Sequence, residues 1–148
     1  MKRVGNLYNK IVDIKNIKEM YDKRVRLNTK NKAKVERFEQ YYVSNILRIK
    51  EILEKRNYKP GKYNIFLIKE PKVRLIMSQN IPDKIINHLV SQYFLLDVFE
   101  PLLLEENIAT RINKGTDYGI KKLKQYLKKH ISEEMYILKY DISKYFLI

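Results

Sequence analysis

Residues 63–77 read Tyr-Asn-Ile-Phe-Leu-Ile-Lys-Glu-Pro-Lys-Val-Arg-Leu-Ile-Met, and this stretch decides the fold class. Its two halves, Tyr63–Lys69 and Lys72–Met77, are rich in β-branched and aromatic residues, which favour strands. The pair Glu70-Pro71 between them is typical of a tight polar connection. The stretch therefore predicts a β-hairpin.

Helical periodicity dominates on both sides of this hairpin. Before it, apolar residues recur three or four positions apart over Asn6–Asp22 and Lys34–Asn57, and the basic stretch Lys23–Lys32 between them is predicted as a loop. After it, the same spacing predicts helices over Asp83–Phe99 and Tyr118–His130. Many helices with one antiparallel hairpin predict an α+β fold that is mainly helical.

The last predicted element is a strand that ends in a carboxylate. Met135–Asp141 reads Met-Tyr-Ile-Leu-Lys-Tyr-Asp, and residues 142–148 contain no further acid. A carboxylate at the end of a rigid strand is a common Mg²⁺ ligand, because hard cations prefer oxygen donors. The alternative is a turn-forming Asp after a strand. Since a magnesium site usually needs a second acidic ligand, we expect this sequence to be the N-terminal part of a longer protein that supplies that ligand.

The charge balance points to a polyanionic partner. Among 148 residues, 31 Lys and Arg stand against 17 Asp and Glu, a net charge of +14. Such a domain most often meets nucleic acid or an anionic membrane surface, although a merely basic soluble surface is the alternative. The most apolar run, Tyr93–Leu104, is too short to span a bilayer, and the chain has no Cys. We therefore expect a cytoplasmic protein without membrane partners.

Three cations lie on the predicted hairpin: Lys69, Lys72 and Arg74. Alternation along the second strand predicts that Lys72 and Arg74 share a face while Val73 and Leu75 point to the core. Arg on a strand is a good phosphate ligand, because its planar fork donates two hydrogen bonds to one phosphate. The alternative is a solvated strand face that discourages edge pairing.

A second cluster precedes the last predicted helix. Ala109–Thr116 carries Arg111, Lys114 and Gly115 directly before a helix N-terminus, whose free backbone amides favour anions. The alternative is an ordinary loop in which Thr116 is only the N-cap.

Read in order, these clusters resemble the opening motifs of reverse transcriptases, particularly bacterial ones of the group II intron maturase and retron kind. Glu70–Ile86 resembles the first block of that family, with a basic strand, an Arg, an apolar run and a helix opening with Asp. Ala109–Ile120 resembles the second block. Tyr140–Phe146 resembles the third, the first metal-binding motif of the palm.

The resemblance implies a division of the chain into fingers and palm. Residues 1–134 would form a fingers-like subdomain, with basic N-terminal helices over 1–58, the hairpin over 63–77 and further helices over 81–130. Residues 135–148 would hold the first strand and metal motif of a truncated palm.

The resemblance also implies roles for the third block. Asp141 would be the first carboxylate ligand of the catalytic Mg²⁺ ions, and the backbone carbonyl of Ile142 would add a ligand. Phe146 would lie under the sugar of the incoming nucleotide.

The cations of the first two blocks would bind phosphates. Arg74, with Lys69 and Lys72, would hold the triphosphate of the incoming dNTP. The loop that carries Arg111, Lys114 and Gly115 would lie against the template.

The implied activity is that of an RNA-directed DNA polymerase that binds an RNA template or RNA–DNA hybrid. Two-metal nucleotidyl transfer would occur only when the missing palm is supplied, because the paired-Asp motif Tyr-x-Asp-Asp is absent. Alone, the chain is expected to be inactive and not to hold Mg²⁺ stably. One alternative is a stand-alone RNA-binding or intron-binding module without catalysis. The other is a fragment that self-associates through an exposed apolar palm edge.

Overall fold

The computed structural model describes residues 5–131, 134 and 136–142. The chain forms two compact units, Met1–Leu102 and Leu103–Ile148. Their helices, with one two-stranded antiparallel sheet, confirm the predicted mainly helical α+β class. The domain boundary expected after residue 134 stays a prediction.

Most of the regular structure lies in the first unit. Its elements are, in chain order, α1 (Leu7–Val12), α2 (Ile14–Met20), a π-helical turn (Tyr21–Arg26), α3 (Lys32–Glu39), α4 (Tyr42–Glu54), β1 (Asn64–Ile68), β2 (Arg74–Ser78), α5 (Ile81–Val90), a second π-helical turn (Ser91–Leu95), α6 (Leu96–Phe99) and a 3₁₀ turn (Glu100–Leu102). The second unit contains α7 (Thr116–Lys129).

The core of the first unit is one cluster of buried apolar side chains from the helices that precede and follow the hairpin. Helix α2 packs on α4 and α5, so the core joins segments far apart in the chain. The residues of this cluster are Ile11, Ile17, Met20, Tyr21, Val25, Phe38, Ile46, Ile49, Leu53, Ile81, Ile85, Ile86 and Leu89. Burial of this apolar surface is the main favourable contribution to folding.

The first predicted helix is two helices. Asp13 has extended backbone angles, φ −66° and ψ 123°, and its side chain accepts a hydrogen bond of 2.8 Å from the amide of Lys15. Asp at this position caps α2 because its carboxylate satisfies a free amide of the first turn. The prediction of one continuous helix over Asn6–Asp22 was therefore wrong.

The loop predicted over Lys23–Lys32 was also largely wrong. The chain continues through the π-helical turn and stays helical to Asn28. Val25 is 2% exposed in the core, and the Thr29 hydroxyl donates to its carbonyl at 2.7 Å. Burial of one apolar residue thus overrides a composition that is basic and rich in Asn.

The long helix predicted over Lys34–Asn57 is interrupted between α3 and α4. Asn31 caps α3 by accepting from the amide of Lys34 at 3.2 Å. At Tyr41 the backbone leaves the helical region, with φ −123° and ψ 35°. The side-chain amide of Asn45 donates to the Phe38 carbonyl at 2.9 Å, so it satisfies an acceptor at the end of α3.

Helix α5 begins where the sequence indicates. Asn80 is its N-cap and accepts from the amide of Asp83 at 2.8 Å, with Pro82 in the first turn. Proline is tolerated there because its missing N–H would have no partner within the helix.

The second unit differs from its prediction in two ways. Helix α7 forms, but Ile120 and Leu123, expected to face inward, are 47% and 53% exposed. The strand expected over Met135–Asp141 does not form at the described residues 136–142. A strand requires a ladder of hydrogen bonds to a neighbour, and no described segment pairs with this one.

Candidate nucleotide and nucleic-acid sites

The hairpin brings its three cations together at one end. Strand β1 pairs with β2 in antiparallel register, with Ile68 opposite Arg74, so Lys69 and Lys72 lie in the turn that joins the strands. All three cationic side chains are exposed, and none makes a hydrogen bond or ion pair with any residue that the structure describes. Three cations at one hairpin tip form a site suited to phosphates.

The position of Lys72 differs from the one that strand alternation predicts. Lys72 precedes β2, so it does not share a strand face with Arg74. Val73 and Leu75, expected to point to the core, are 73% and 56% exposed. The prediction of a core-facing side was wrong because alternation specifies two faces but not whether either face is covered.

In the second unit, Arg111 donates hydrogen bonds to the backbone of its own loop. Its guanidinium donates to the carbonyls of Leu104 at 2.6 Å and Asn107 at 3.0 Å. Lys114 donates to the carbonyl of Glu105 at 3.0 Å. Both residues predicted to bind nucleic acid therefore have internal hydrogen bonds, which favours the interpretation of this segment as a structured loop.

Gly115, rather than Thr116, occupies the N-cap position of α7. Its φ of 177° is extended backbone open to any residue, and a Cβ there would meet no atom within 4 Å. No side chain caps this end of α7. Its first-turn amides are the anion-favouring feature that the sequence indicated.

Glu105 is a residue that the sequence did not reveal. Its carboxylate lies 2.7 Å from the Lys122 ammonium and accepts from the Tyr118 hydroxyl at 2.7 Å. These two hydrogen bonds, with Lys122 the larger cause, lower the pKa of Glu105 to about 2. Glu105 lies in an irregular loop, where no periodic sequence pattern marks it. Its role is evident only from its contacts with Tyr118 and Lys122 on α7.

Asp141 and Ile142 are exposed at the end of the described chain. The Asp141 carboxylate accepts from the amide of Ile142 at 2.9 Å, a local contact typical of a turn. Across the described residues, no group of three His, Cys, Asp or Glu could hold a metal ion, so the side chains that would complete a magnesium site are not assembled around Asp141. Phe146, expected beside the nucleotide, lies outside the described residues.

A buried carboxylate in the first unit was recognised only as a helix-start acid. Asp83 is 4% exposed and accepts from the Tyr58 hydroxyl and from the Gly61 amide, both at 2.9 Å. Burial, followed by the hydrogen bond to Asp83, raises the pKa of Tyr58 to about 12. Asp83 thereby fastens the segment before the hairpin to the start of α5.

Gly61 is needed in this arrangement. A Cβ there would lie 2.2 Å from the side-chain nitrogen of Asn80, the N-cap of α5. Beside this contact lies a cavity of about 490 Å³, whose lining includes Tyr58, Asn80 and Asp83.

Comparison with known proteins adds no family to this geometry. No protein-family model matches the chain, and no curated protein matches its sequence. Among the described helices, none has the length and apolar character required to cross a membrane. The resemblance to reverse transcriptases therefore depends on the three sequence blocks alone.

Proposed function

We propose that this chain is the fingers region and first palm motif of an RNA-directed DNA polymerase. In this proposal it binds an RNA template or RNA–DNA hybrid, and the hairpin binds the triphosphate of the incoming dNTP. Support comes from three sequence blocks in the order typical of the family and from a net charge of +14. Catalysis by two metal ions would require carboxylates in addition to Asp141.

The observation that carries the proposal is the cationic hairpin tip. Lys69, Lys72 and Arg74 meet there, exposed and without partners among the described residues. Glu70 lies in the same turn but makes no ion pair with these cations, so three positive charges that repel one another stand against one acid and favour an external anion. The first block of the resemblance assigns a triphosphate to these cations.

The hairpin gives a direct test of nucleotide binding. We expect the combined change Lys69→Gln, Lys72→Gln and Arg74→Gln to weaken binding of a dNTP at least about ten-fold, because it removes the charge-assisted hydrogen bonds to phosphate. Isothermal titration calorimetry at low ionic strength measures the affinity. A matched control is the combined change Lys15→Gln, Arg24→Gln and Lys30→Gln, which removes the same charges from exposed positions elsewhere in the first unit. Equal dNTP affinity of the hairpin and control variants would contradict the proposal.

A stand-alone RNA-binding module is the second candidate, favoured by the local hydrogen bond that Asp141 makes to Ile142. Here the chain binds RNA through its cations, with affinity that falls steeply as salt rises. Binding of a dNTP to the hairpin is expected of the polymerase fragment and not of this module.

Both candidates make one common prediction about Asp141. The change Asp141→Asn is expected to leave RNA affinity within about two-fold of the unchanged chain, because a single exposed carboxylate does not bind phosphates. Filter binding over a range of salt concentrations tests this.

In parallel, primer extension on an RNA template with Mg²⁺ is expected to give no product from this chain alone. Robust extension would contradict the view that further carboxylates are required.

A further inference from the structure

Two adjacent depressions lie on the first unit beside α3 and α4. Their volumes are about 490 and 470 Å³, and Asn45, Asn80 and Pro82 line both of them. The shared residues place the two depressions side by side, and together they are called the groove. The groove contains neither the hairpin-tip cations nor any residue of the three sequence blocks beyond those at the start of α5.

The groove carries strong positive charge. Lys34 and Arg37 line one part, and Arg48 and Lys59 line the other. None of these side chains makes a hydrogen bond or ion pair with a residue in the described part of the chain. The single carboxylate in the lining is Asp83, which is buried and already accepts from two donors.

Each acidic residue of α4 forms an ion pair with a nearby lysine. Glu51 lies 2.5 Å from Lys55, and Glu54 lies 2.5 Å from Lys50. Neither carboxylate lines the groove. The hydrogen bond from Lys55 is the largest cause that lowers the pKa of Glu51 and the charge of Arg48 is the smallest, so Glu51 offsets Arg48 only in part and the groove cations stay available to an anionic ligand.

An aromatic ring lies among these cations. Tyr41 is 67% exposed, lines the groove beside Arg37, and has no ring contact among the described residues. It lies at the break between α3 and α4, where the backbone angles hold it outside both helices. A large exposed ring flanked by cations is typical of surfaces on which a nucleic-acid base stacks.

We propose that this groove binds single-stranded nucleic acid, with phosphates on its four cations and a base stacked on Tyr41. The inference deepens the proposed function and rests on it for the class of partner, because it assigns the nucleic acid a path separate from the nucleotide at the hairpin. An acidic polypeptide would satisfy the cations but would not supply a base to stack on the Tyr41 ring.

The charge component is tested by removing two arginines. For a fluorescently labelled single-stranded RNA of mixed sequence, Arg37→Gln with Arg48→Gln is expected to weaken binding at least ten-fold. The salt dependence of log K should also become shallower by about 1.4, since each phosphate contact on a single strand contributes about 0.7. Fluorescence anisotropy measures both quantities. The control, Lys15→Gln with Lys30→Gln, removes two exposed charges outside the groove and is expected to change affinity less than about three-fold.

The stacking component is tested at Tyr41. Tyr41→Ala is expected to weaken binding about five-fold or more without changing the salt dependence, while Tyr41→Phe retains affinity. Single-stranded RNA and DNA should both bind better than the matched duplex, whose bases are already stacked. Equal binding of duplex, or equal competition by poly-glutamate, would overturn the proposal.

A crosslink on the unchanged chain makes the test independent of variant folding. An RNA carrying 5-iodouridine is expected to crosslink to Tyr41 on irradiation, as mapped by mass spectrometry. Crosslinks found only outside the groove would overturn the inference. If the groove variants lose RNA while dNTP binding at the hairpin is absent, the groove stands and the polymerase proposal fails. If the hairpin binds dNTP but the groove variants bind RNA as tightly as the control variant does, the groove inference fails and the polymerase proposal stands.

Discussion

Replacement of Asp83 by alanine is expected to lower the free energy of unfolding by about 3 kcal/mol. The carboxylate is 4% exposed and accepts from the Tyr58 hydroxyl and the Gly61 amide. Removing it takes away two hydrogen bonds to a charged group and leaves both donors without their acceptor. The loss should be large because both donors are partly buried, and a donor left unpaired there keeps part of its desolvation cost.

Urea denaturation followed by circular dichroism measures this change. Asp83→Asn should cost less than Asp83→Ala, since the amide oxygen still accepts one of the two hydrogen bonds. The matched control is Asp97→Ala, which removes an exposed carboxylate that pairs with Lys10 at 2.9 Å and should cost at most about 1 kcal/mol. If Asp83→Ala proved no more destabilising than Asp97→Ala, Asp83 would not fasten the hairpin segment to α5.

Tyr21→Ala is expected to lower the free energy of unfolding by about 4 kcal/mol, in the range of large-to-small changes in a core. Tyr21 is 1% exposed, and its ring centroid lies 4.8 Å from that of Phe38 and 5.4 Å from that of Tyr42. Its hydroxyl donates to the carboxylate of Glu39 at 3.0 Å. The change would leave a cavity where the first π-helical turn, α3 and α4 come together.

The same denaturation experiment separates the ring from the hydroxyl. Tyr21→Phe keeps the packed ring and removes one hydrogen bond, so its expected cost is about 1 kcal/mol. Tyr41→Ala makes the same chemical change as Tyr21→Ala at an exposed ring and should alter stability by less than about 0.5 kcal/mol. A cost for Tyr21→Ala near that of Tyr41→Ala would show that Tyr21 is not a core residue.

The strongest periodic signals in the sequence predicted the hairpin and the helical regions that contain α4 and α5, but not the break before α4. On α4, Ile46, Ile49 and Leu53 are buried at the predicted spacing, and Asn80 begins α5 as an N-cap. These features are local: a helix face and a cap are defined within a few residues. A sequence pattern can therefore indicate them without knowledge of their partners.

The errors arise where a distant partner decides the local structure. Residues 23–28 are helical because Val25 reaches the core, and no nearby signal in the basic stretch indicates this. The hairpin forms as predicted, yet Val73 and Leu75, which were expected to face the core, are exposed. In each case the pattern specifies the face, and the packing of the whole unit decides whether that face is covered.

The candidate site was predictable in its chemistry and less so in its contacts. The cations of the hairpin are exposed, as expected of phosphate ligands, but Arg111 and Lys114 bind carbonyls of their own loop. The role of Asp83 depends on Tyr58, 25 residues earlier, and the groove depends on where α3 ends. Such pairings are set by tertiary folding, which single-sequence patterns do not encode.

The exposed hairpin has a consequence for how the protein behaves in solution. Ile65 is paired with Met77 and Leu67 with Leu75, so one whole face of the sheet is apolar, and all four side chains are more than half exposed. At low ionic strength the net charge of +14 keeps copies of the chain apart. Added salt screens that repulsion while leaving apolar attraction intact. If nucleic acid binds as proposed, the salt that releases it is therefore also the condition that favours aggregation of the chain.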